Sequence, residues 1–168
     1  ASRLDSSNYN PMISLAMGCQ MVALNFQTKS TSMMLNDGLF LSNDRCGYVL
    51  KPDWLTNTKK CFFEGKPLRL SIKILRGSCL PKPKNEKDSR IINPRVKVTL
   101  HDVDIAIDNA NHTSIESEGK LDRYAAALKK TYSTEATKNN GYCPVWKEHD
   151  WEFNVLNKDI AILHLRVV

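Results

Sequence analysis

The period of the apolar pattern changes at Pro67, and that change divides the chain into two unlike halves. Downstream, Leu68–Leu75 alternates apolar and polar side chains one by one, the pattern of a strand with one buried and one wet face. Pro94–Leu100 and Trp151–Val155 repeat the alternation, Ile160–Val168 is a longer β-rich run, and Lys130–Thr134 is a further candidate. Turn signals such as Asn139-Asn-Gly141 separate these runs, so an antiparallel β-sandwich is expected over residues 68–168. Residues 102–129 read as a surface insertion with a short helix, because Asp122–Lys130 has high helix propensity.

Upstream of Pro67 the texture is different. Met21–Phe26 is a nearly continuous apolar run without alternation, as in a strand buried on both faces of a parallel sheet or barrel. Before it, Asn10 can cap and Pro11 can open a short helix over Met12–Met17, which Gly18 stops. After it, Met33–Leu41 suits a helix packed outside the strand, broken at Asn36-Asp-Gly38. Gly47 permits a turn, and the short apolar Tyr48–Leu50 ends at Pro52. Helix, buried strand and helix make one repeat of an α/β architecture, which cannot stand alone. Residues 56–67 are polar, with Gly65 and Pro67 as punctuation, and read as a linker that Phe62-Phe63 anchors to one neighbour. The expected division is therefore 1–55, 56–67 and 68–168.

Composition removes several function classes. No run approaches the roughly 20 apolar residues of a membrane-crossing helix. No cationic stretch followed by an apolar core opens the chain, so no signal peptide is read. The sequence begins without Met inside a loop-like stretch, which suggests a piece of a longer protein. Five cysteines, widely spaced and without a C-x-x-C pair, argue against a disulfide framework or a zinc site. They are expected as buried or half-buried free thiols. The four histidines sit apart, none in a metal-ligand spacing. The net charge of +6 is concentrated between Lys59 and Lys97, where the basic residues meet only Glu64, Glu86 and Asp88. Such a segment suits solvent or an anionic membrane; nucleic acid is excluded by the lack of aromatic–basic interleaving. The sequon Asn111-His-Thr113 reads as chance.

Three motifs in register carry a resemblance. Arg3-Leu-Asp-Ser-Ser-Asn-Tyr-Asn-Pro11, Gly18-Cys-Gln-Met-Val-Ala-Leu-Asn-Phe-Gln-Thr28 and Cys46-Gly-Tyr-Val-Leu-Lys-Pro52 resemble, in order, the end of the second catalytic half of phosphoinositide-specific phospholipases C. One departure is Met12-Ile-Ser-Leu-Ala-Met17, where members usually carry Trp in the short helix. The β-rich half is similar to the C2 domain that follows in that family, and the wording of Arg3–Tyr9 and Val145–Phe153 leans toward the gamma-type branch.

The resemblance implies the last part of a TIM-like α/β barrel followed by a C2-like antiparallel β-sandwich, incomplete at both ends. It implies a calcium-dependent hydrolase that cleaves phosphatidylinositol 4,5-bisphosphate to diacylglycerol and inositol 1,4,5-trisphosphate. In such enzymes Ca2+ lowers the pKa of the inositol 2-hydroxyl and a histidine assists at the phosphorane. The matching histidines and calcium ligands would lie in an upstream barrel half, so no catalytic residue transfers to this chain, and alone it should be inactive. Asp5, Asn8 and Gln27 read instead as loop caps and barrel-mouth hydrogen-bonding groups. In the C2-like half the candidate calcium loops contain Ile91, Asn93 and Asn140, with Asn93 where members that bind calcium carry Asp. The third such loop would follow Val168, leaving Ile160–Val168 an open hydrophobic edge. Lys82, Lys84, Lys87 and Arg90 are the candidate lipid-facing residues. The implied partners are phosphoinositide lipids and the other barrel half, in a cytoplasmic protein recruited peripherally to membrane. Two other readings share these motifs: a catalytically inactive inositide-binding or scaffold relative, and a membrane-targeting C2 module.

Overall fold

A computed structural model describes residues 6–56, 66–83, 91–107, 123–147 and 150–168. Three helices and one 3-10 turn precede five strands: α1 (Met12–Ala16), α2 (Thr31–Phe40), the turn Asn43–Arg45, α3 (Asp53–Thr56), β1 (Leu68–Ile72), β2 (Val96–Ile107), β3 (Arg123–Ser133), β4 (Trp151–Val155) and β5 (Ile162–Val167). The strands form a two-stranded sheet, β1-β4, and a three-stranded sheet, β3-β2-β5. By contacts the chain divides into one unit of Ala1–Pro67, His101–Leu128 and Val155–Ile162, and another of Leu68–Leu100, Lys129–Asn154 and Leu163–Val168.

The first unit is helical where the sequence indicates helix. Asn10 Oδ1 accepts from the Met12 amide at 3.1 Å, capping α1, while Pro11 occupies the boundary position. Met12, Leu15 and Ala16 are buried one turn apart. Gly18, at φ +81°, ends the helix by donating to Leu15 O, and Cys19 donates to Ser14 O, both at 3.0 Å. Ser30 caps α2 through Met33 N, and Met33 and Leu35 are buried. Contrary to the expected break, α2 runs unbroken through Asn36-Asp37-Gly38. Gly38 serves a close approach there, since a Cβ would lie 3.2 Å from Ile162 Cγ2. Gly in a helix costs about 1 kcal/mol, and the packing at Ile162 offsets it.

The expected buried strand at Met21–Phe26 does not form. Residues 21–25 have no regular structure, and Met21 and Phe26 are 89% and 72% exposed. Tyr48–Leu50 is likewise irregular, with Leu50 92% exposed. A strand needs a neighbouring backbone for its N–H and C=O groups, and among the described residues none lies beside these runs. Among the described residues the strands form no closed barrel. The core of the unit joins Met12, Ala16 and Leu35 to Val103 of β2 and Ile160 of the β4–β5 connection, with Trp54, Leu55 and Ile105 packed around them. Burying side chains of this kind stabilises by roughly 1.5–3 kcal/mol each.

The second unit is β-structure, as its alternation requires. Bonds from Gly77 N to Pro144 O and from Trp146 N to Leu75 O, with a bridge between Arg76 and Val145, set an antiparallel register that continues the β1–β4 pairing. β4 buries Trp151, Phe153 and Val155 and exposes the residues between. Tyr132 stacks on Trp151 with centroids 5.6 Å apart and meets Phe153 edge-on at 5.0 Å. Thr134 N donates to Val96 O, and the Thr99 and Thr131 hydroxyls pair at 3.0 Å, so β2 and β3 are antiparallel. Arg95 and Val168 exchange backbone bonds, setting β5 antiparallel to the other edge of β2. These paired sheets agree with a C2-like sandwich.

Three further expectations are corrected. Residues 123–130, read as helix, belong to β3, and 102–107 extend β2; two long strands in one register outweigh a weak local helix preference. Cys19, Cys46, Cys79 and Cys143 are exposed rather than buried, because each lies outside the helices and strands. The basic run is less one-sided than its sequence, since Lys73 pairs with Asp150 at 3.0 Å and Arg69 meets Glu152 at 4.0 Å. Arg3 to Asp5, Phe62-Phe63, Cys61, residues 108–122 with the sequon, and His149 lie outside the described residues. No helix is long and apolar enough to cross a membrane among the described residues.

Candidate functional site

The loop before α1 and the irregular run after it are held together by one side chain. Asn8 Oδ1 accepts from Asn25 N at 2.5 Å, and Asn8 Nδ2 donates to Asn25 O at 3.0 Å and to Ser30 Oγ at 3.1 Å. A primary amide thus satisfies both backbone groups of Asn25, as a neighbouring strand would. Asn25 in turn donates from Nδ2 to Ser6 O and accepts from Gln27 N. Ser6 to Tyr9, Ala23 and Asn25 line a small polar hollow of about 400 Å³. Asn8 is therefore the loop-organising group that its position implied, Gln27 is exposed, and Asp5 lies outside the described residues.

A larger, mostly apolar cleft of about 840 Å³ lies in the same unit. Leu15, Met21, Phe40, Tyr48, Leu50 and Ile160 are among its walls. Its polar rim includes Lys51, whose Nζ donates to Gly18 O at 2.6 Å, just past the C-terminal end of α1. Trp54 Nε1 donates to Asp159 Oδ2, on a residue that lines the cleft, at 3.1 Å. Both contacts join residues far apart in sequence, and no local motif announces either. Asn43, Asp44 and Arg45 form a left-handed turn with φ of 56°, 53° and 60°.

The second unit brings together two of the predicted calcium-loop residues and orients them toward backbone. Asn93 Oδ1 accepts from Asn139 N at 2.6 Å. Asn140 Oδ1 accepts from Cys143 N, and its Nδ2 donates to Cys143 O, both at 2.9 Å. Ile91 is exposed beside them. Among the described residues no group of three or more His, Cys, Asp or Glu could hold a metal ion. Lys82 is exposed; Lys84, Lys87 and Arg90 lie outside the described residues. His101, on β2, is buried, and His164, on β5, is half-buried.

The family model for the Y domain of phosphatidylinositol-specific phospholipase C matches residues 1–54. This span covers the Asn8–Asn25 clamp, the left-handed turn and the Cys46–Pro52 wall of the cleft. Residues 1–54 belong to the phosphoinositide-specific phospholipase C family. It is 40% identical over 154 residues to a 1-phosphatidylinositol 4,5-bisphosphate phosphodiesterase delta-4 of Xenopus laevis, covering 87% of the chain and 17% of that relative. A delta-3-A relative from Danio rerio is 42% identical over 71% of the chain and 16% of its own length. The gamma relative plc-3 of Caenorhabditis elegans is 31% identical over 99% of the chain and 11% of its own length. The chain thus spans less than a fifth of these phospholipase C relatives. Both delta-named and gamma-named relatives are thus similar to the chain. The similarity continues past residue 54 into the strands, where the Y-domain match has ended.

Proposed function

We propose that this chain serves a phosphoinositide phospholipase C that hydrolyses phosphatidylinositol 4,5-bisphosphate to diacylglycerol and inositol 1,4,5-trisphosphate. The observation that carries the reading is the apolar wall of the Y-domain segment. Met21, Phe26, Tyr48 and Leu50 are exposed around motifs in which Asn8 pairs the Asn25 backbone and Lys51 the Gly18 carbonyl. Such a surface suits a second barrel half, which would bring the histidines and the Ca2+ ligands that no described cluster here supplies. In this reading Asn8, Asn25 and Lys51 are positioning residues, and the chain alone turns over no lipid.

The sandwich half acts in this reading as a C2-type module on a cytoplasmic protein recruited to membrane. Asn93 and Asn140 each spend one lone pair on a backbone N–H and keep a second that a calcium ion could use, without contributing negative charge. Charge attraction through residues such as Lys82 is then the main lipid contact.

The test measures inositol 1,4,5-trisphosphate released from vesicles containing phosphatidylinositol 4,5-bisphosphate. The full-length product of the gene should act with calcium and stop on chelation. Lipid binding without turnover at any calcium level would instead identify an inactive, scaffold-type relative. Turnover by residues 1–168 alone would overturn the assignment of chemistry to another segment.

A further inference from the structure

Cys79 and Cys143 occupy facing segments whose register brings them within reach of each other. Gly77 N donates to Pro144 O at 2.9 Å and Cys79 N to Tyr142 O at 2.7 Å. Ser78 and Cys143 are therefore the directly opposed, non-hydrogen-bonded pair between those two bonds, with Cα atoms about 4.5 Å apart in such a pair. Cys79 is one residue removed from that pair, and a disulfide bridges Cα atoms roughly 4.4–6.8 Å apart.

Regular strand alternation would turn Cys79 to the face opposite Cys143, but the backbone is not regular there. Cys79 has φ +50°, and Leu80 N, the next amide, also bonds across the ladder, to Gly141 O at 2.9 Å. The left-handed residue interrupts the alternation. Its sulfur lies 3.7 Å from the Ser78 hydroxyl, closer than side chains on opposite faces of a regular strand approach. Both thiols are free and exposed.

We propose that Cys79 and Cys143 form a reversible disulfide, a modification site independent of the lipid chemistry. With a low-molecular-weight disulfide as oxidant, one protein thiolate attacks it, forming a mixed disulfide and releasing one small thiol. The second protein thiolate attacks the protein-side sulfur, forming the Cys79–Cys143 bond and releasing the second small thiol. Two electrons pass from the protein to the oxidant, and the two thiol protons leave on the released thiols. The bond ties residues 78–80 to residues 139–143. That second segment also holds the 91–94 loop, through Asn139 N on Asn93 Oδ1 and through Gly141, where a Cβ would meet Ile92 Cγ1 at 2.5 Å.

The test equilibrates the full chain with mixtures of glutathione and its disulfide, alkylates the remaining thiols, and maps peptides without reduction. The expected result is one cross-linked peptide pair containing Cys79 and Cys143, lighter than the separate peptides by two hydrogens. Free thiols fall from the five in the sequence by two, with Cys19, Cys46 and Cys61 alkylated. Cys79→Ser and Cys143→Ser each abolish the pair while the circular dichroism melt of the reduced protein stays unchanged. Five alkylated thiols throughout, separate glutathione adducts on Cys79 and Cys143, or a cross-link through any other cysteine would overturn the proposal. The wild-type map alone decides this if either variant fails to fold.

Discussion

Trp54 donates its indole N–H to Asp159 Oδ2, joining the end of the Y-domain segment to the connection between β4 and β5 across more than a hundred residues of sequence. The same helix packs its apolar surface on a core that includes Val103 and Ile160. The Y-domain segment therefore does not complete its own core; two residues from the β-rich half do so. Trp54→Phe keeps most of the packing and removes the bond, which should cost about 1 kcal/mol. Trp54→Ala also removes the packing and should cost about 3–5 kcal/mol. Urea denaturation of both variants checks the split. Equal losses would assign the whole effect to the hydrogen bond.

Asn8 replaces a missing strand for one residue only, which makes it the group on which the 21–27 run depends. Asn8→Leu should destabilise by about 2–3 kcal/mol, since Asn25 loses partners for both N–H and C=O. Asn8→Asp should cost nearly as much, because a carboxylate retains the bond from Asn25 N but faces Asn25 O without a donor. Amide hydrogen exchange at Asn25 should rise in Asn8→Leu and stay low in Asn8→Asp. Unchanged exchange in Asn8→Leu would show that other contacts hold the run.

The contrast between these two residues shows where sequence patterns were informative. Asn10 and Gly18 act locally, within three residues of what they cap, so the ends of α1 were legible. The alternation of Trp151–Val155 was equally legible, because its period decides which face is buried. Met21–Phe26 failed for a non-local reason: an apolar run states that burial is wanted, not that a partner is present. Asp122–Lys130 failed because β2 offers a long antiparallel neighbour that local propensity cannot see. In the site, the motifs identified the family, while Lys51–Gly18 and Trp54–Asp159 depend on tertiary approach. The exposed cysteines reflect turn positions, which composition does not reveal.

Arg45 is the third consecutive non-glycine residue in left-handed conformation, at φ +60°, in a turn closed by Cys46 N on Asn43 O at 3.2 Å. Each such residue costs roughly 1–2 kcal/mol relative to glycine, whose backbone accepts the conformation freely. Arg45→Gly should therefore stabilise by about 1 kcal/mol, less than the full strain because glycine also gains freedom in the unfolded chain. Arg45 is exposed, so little packing is lost. A rise in the melting temperature checks this; a fall would mean that the arginine side chain holds the turn.

Asp102 and Asn157 lie together in the first unit, both about 98–99% buried, with opposite hydrogen-bonding outcomes. The Asp102 carboxylate accepts from Val103 N at 2.8 Å, Leu156 N at 2.6 Å and Asn157 N at 3.3 Å. The Asn157 side-chain amide has no partner at either atom, although its carbonyl oxygen on the backbone accepts from Ala161 N at 2.8 Å. Asp102→Asn puts an N–H₂ group against at least one of those backbone donors and should destabilise by about 3 kcal/mol. Asn157→Leu removes a buried amide that gains nothing from its site, while the backbone bonds that shape the turn remain. It should be neutral or stabilising by about 1 kcal/mol. Denaturation of the two single variants and the double variant checks both signs. A loss above about 1 kcal/mol in Asn157→Leu would mean that the amide is satisfied in solution, by a buried water of the kind such sites hold.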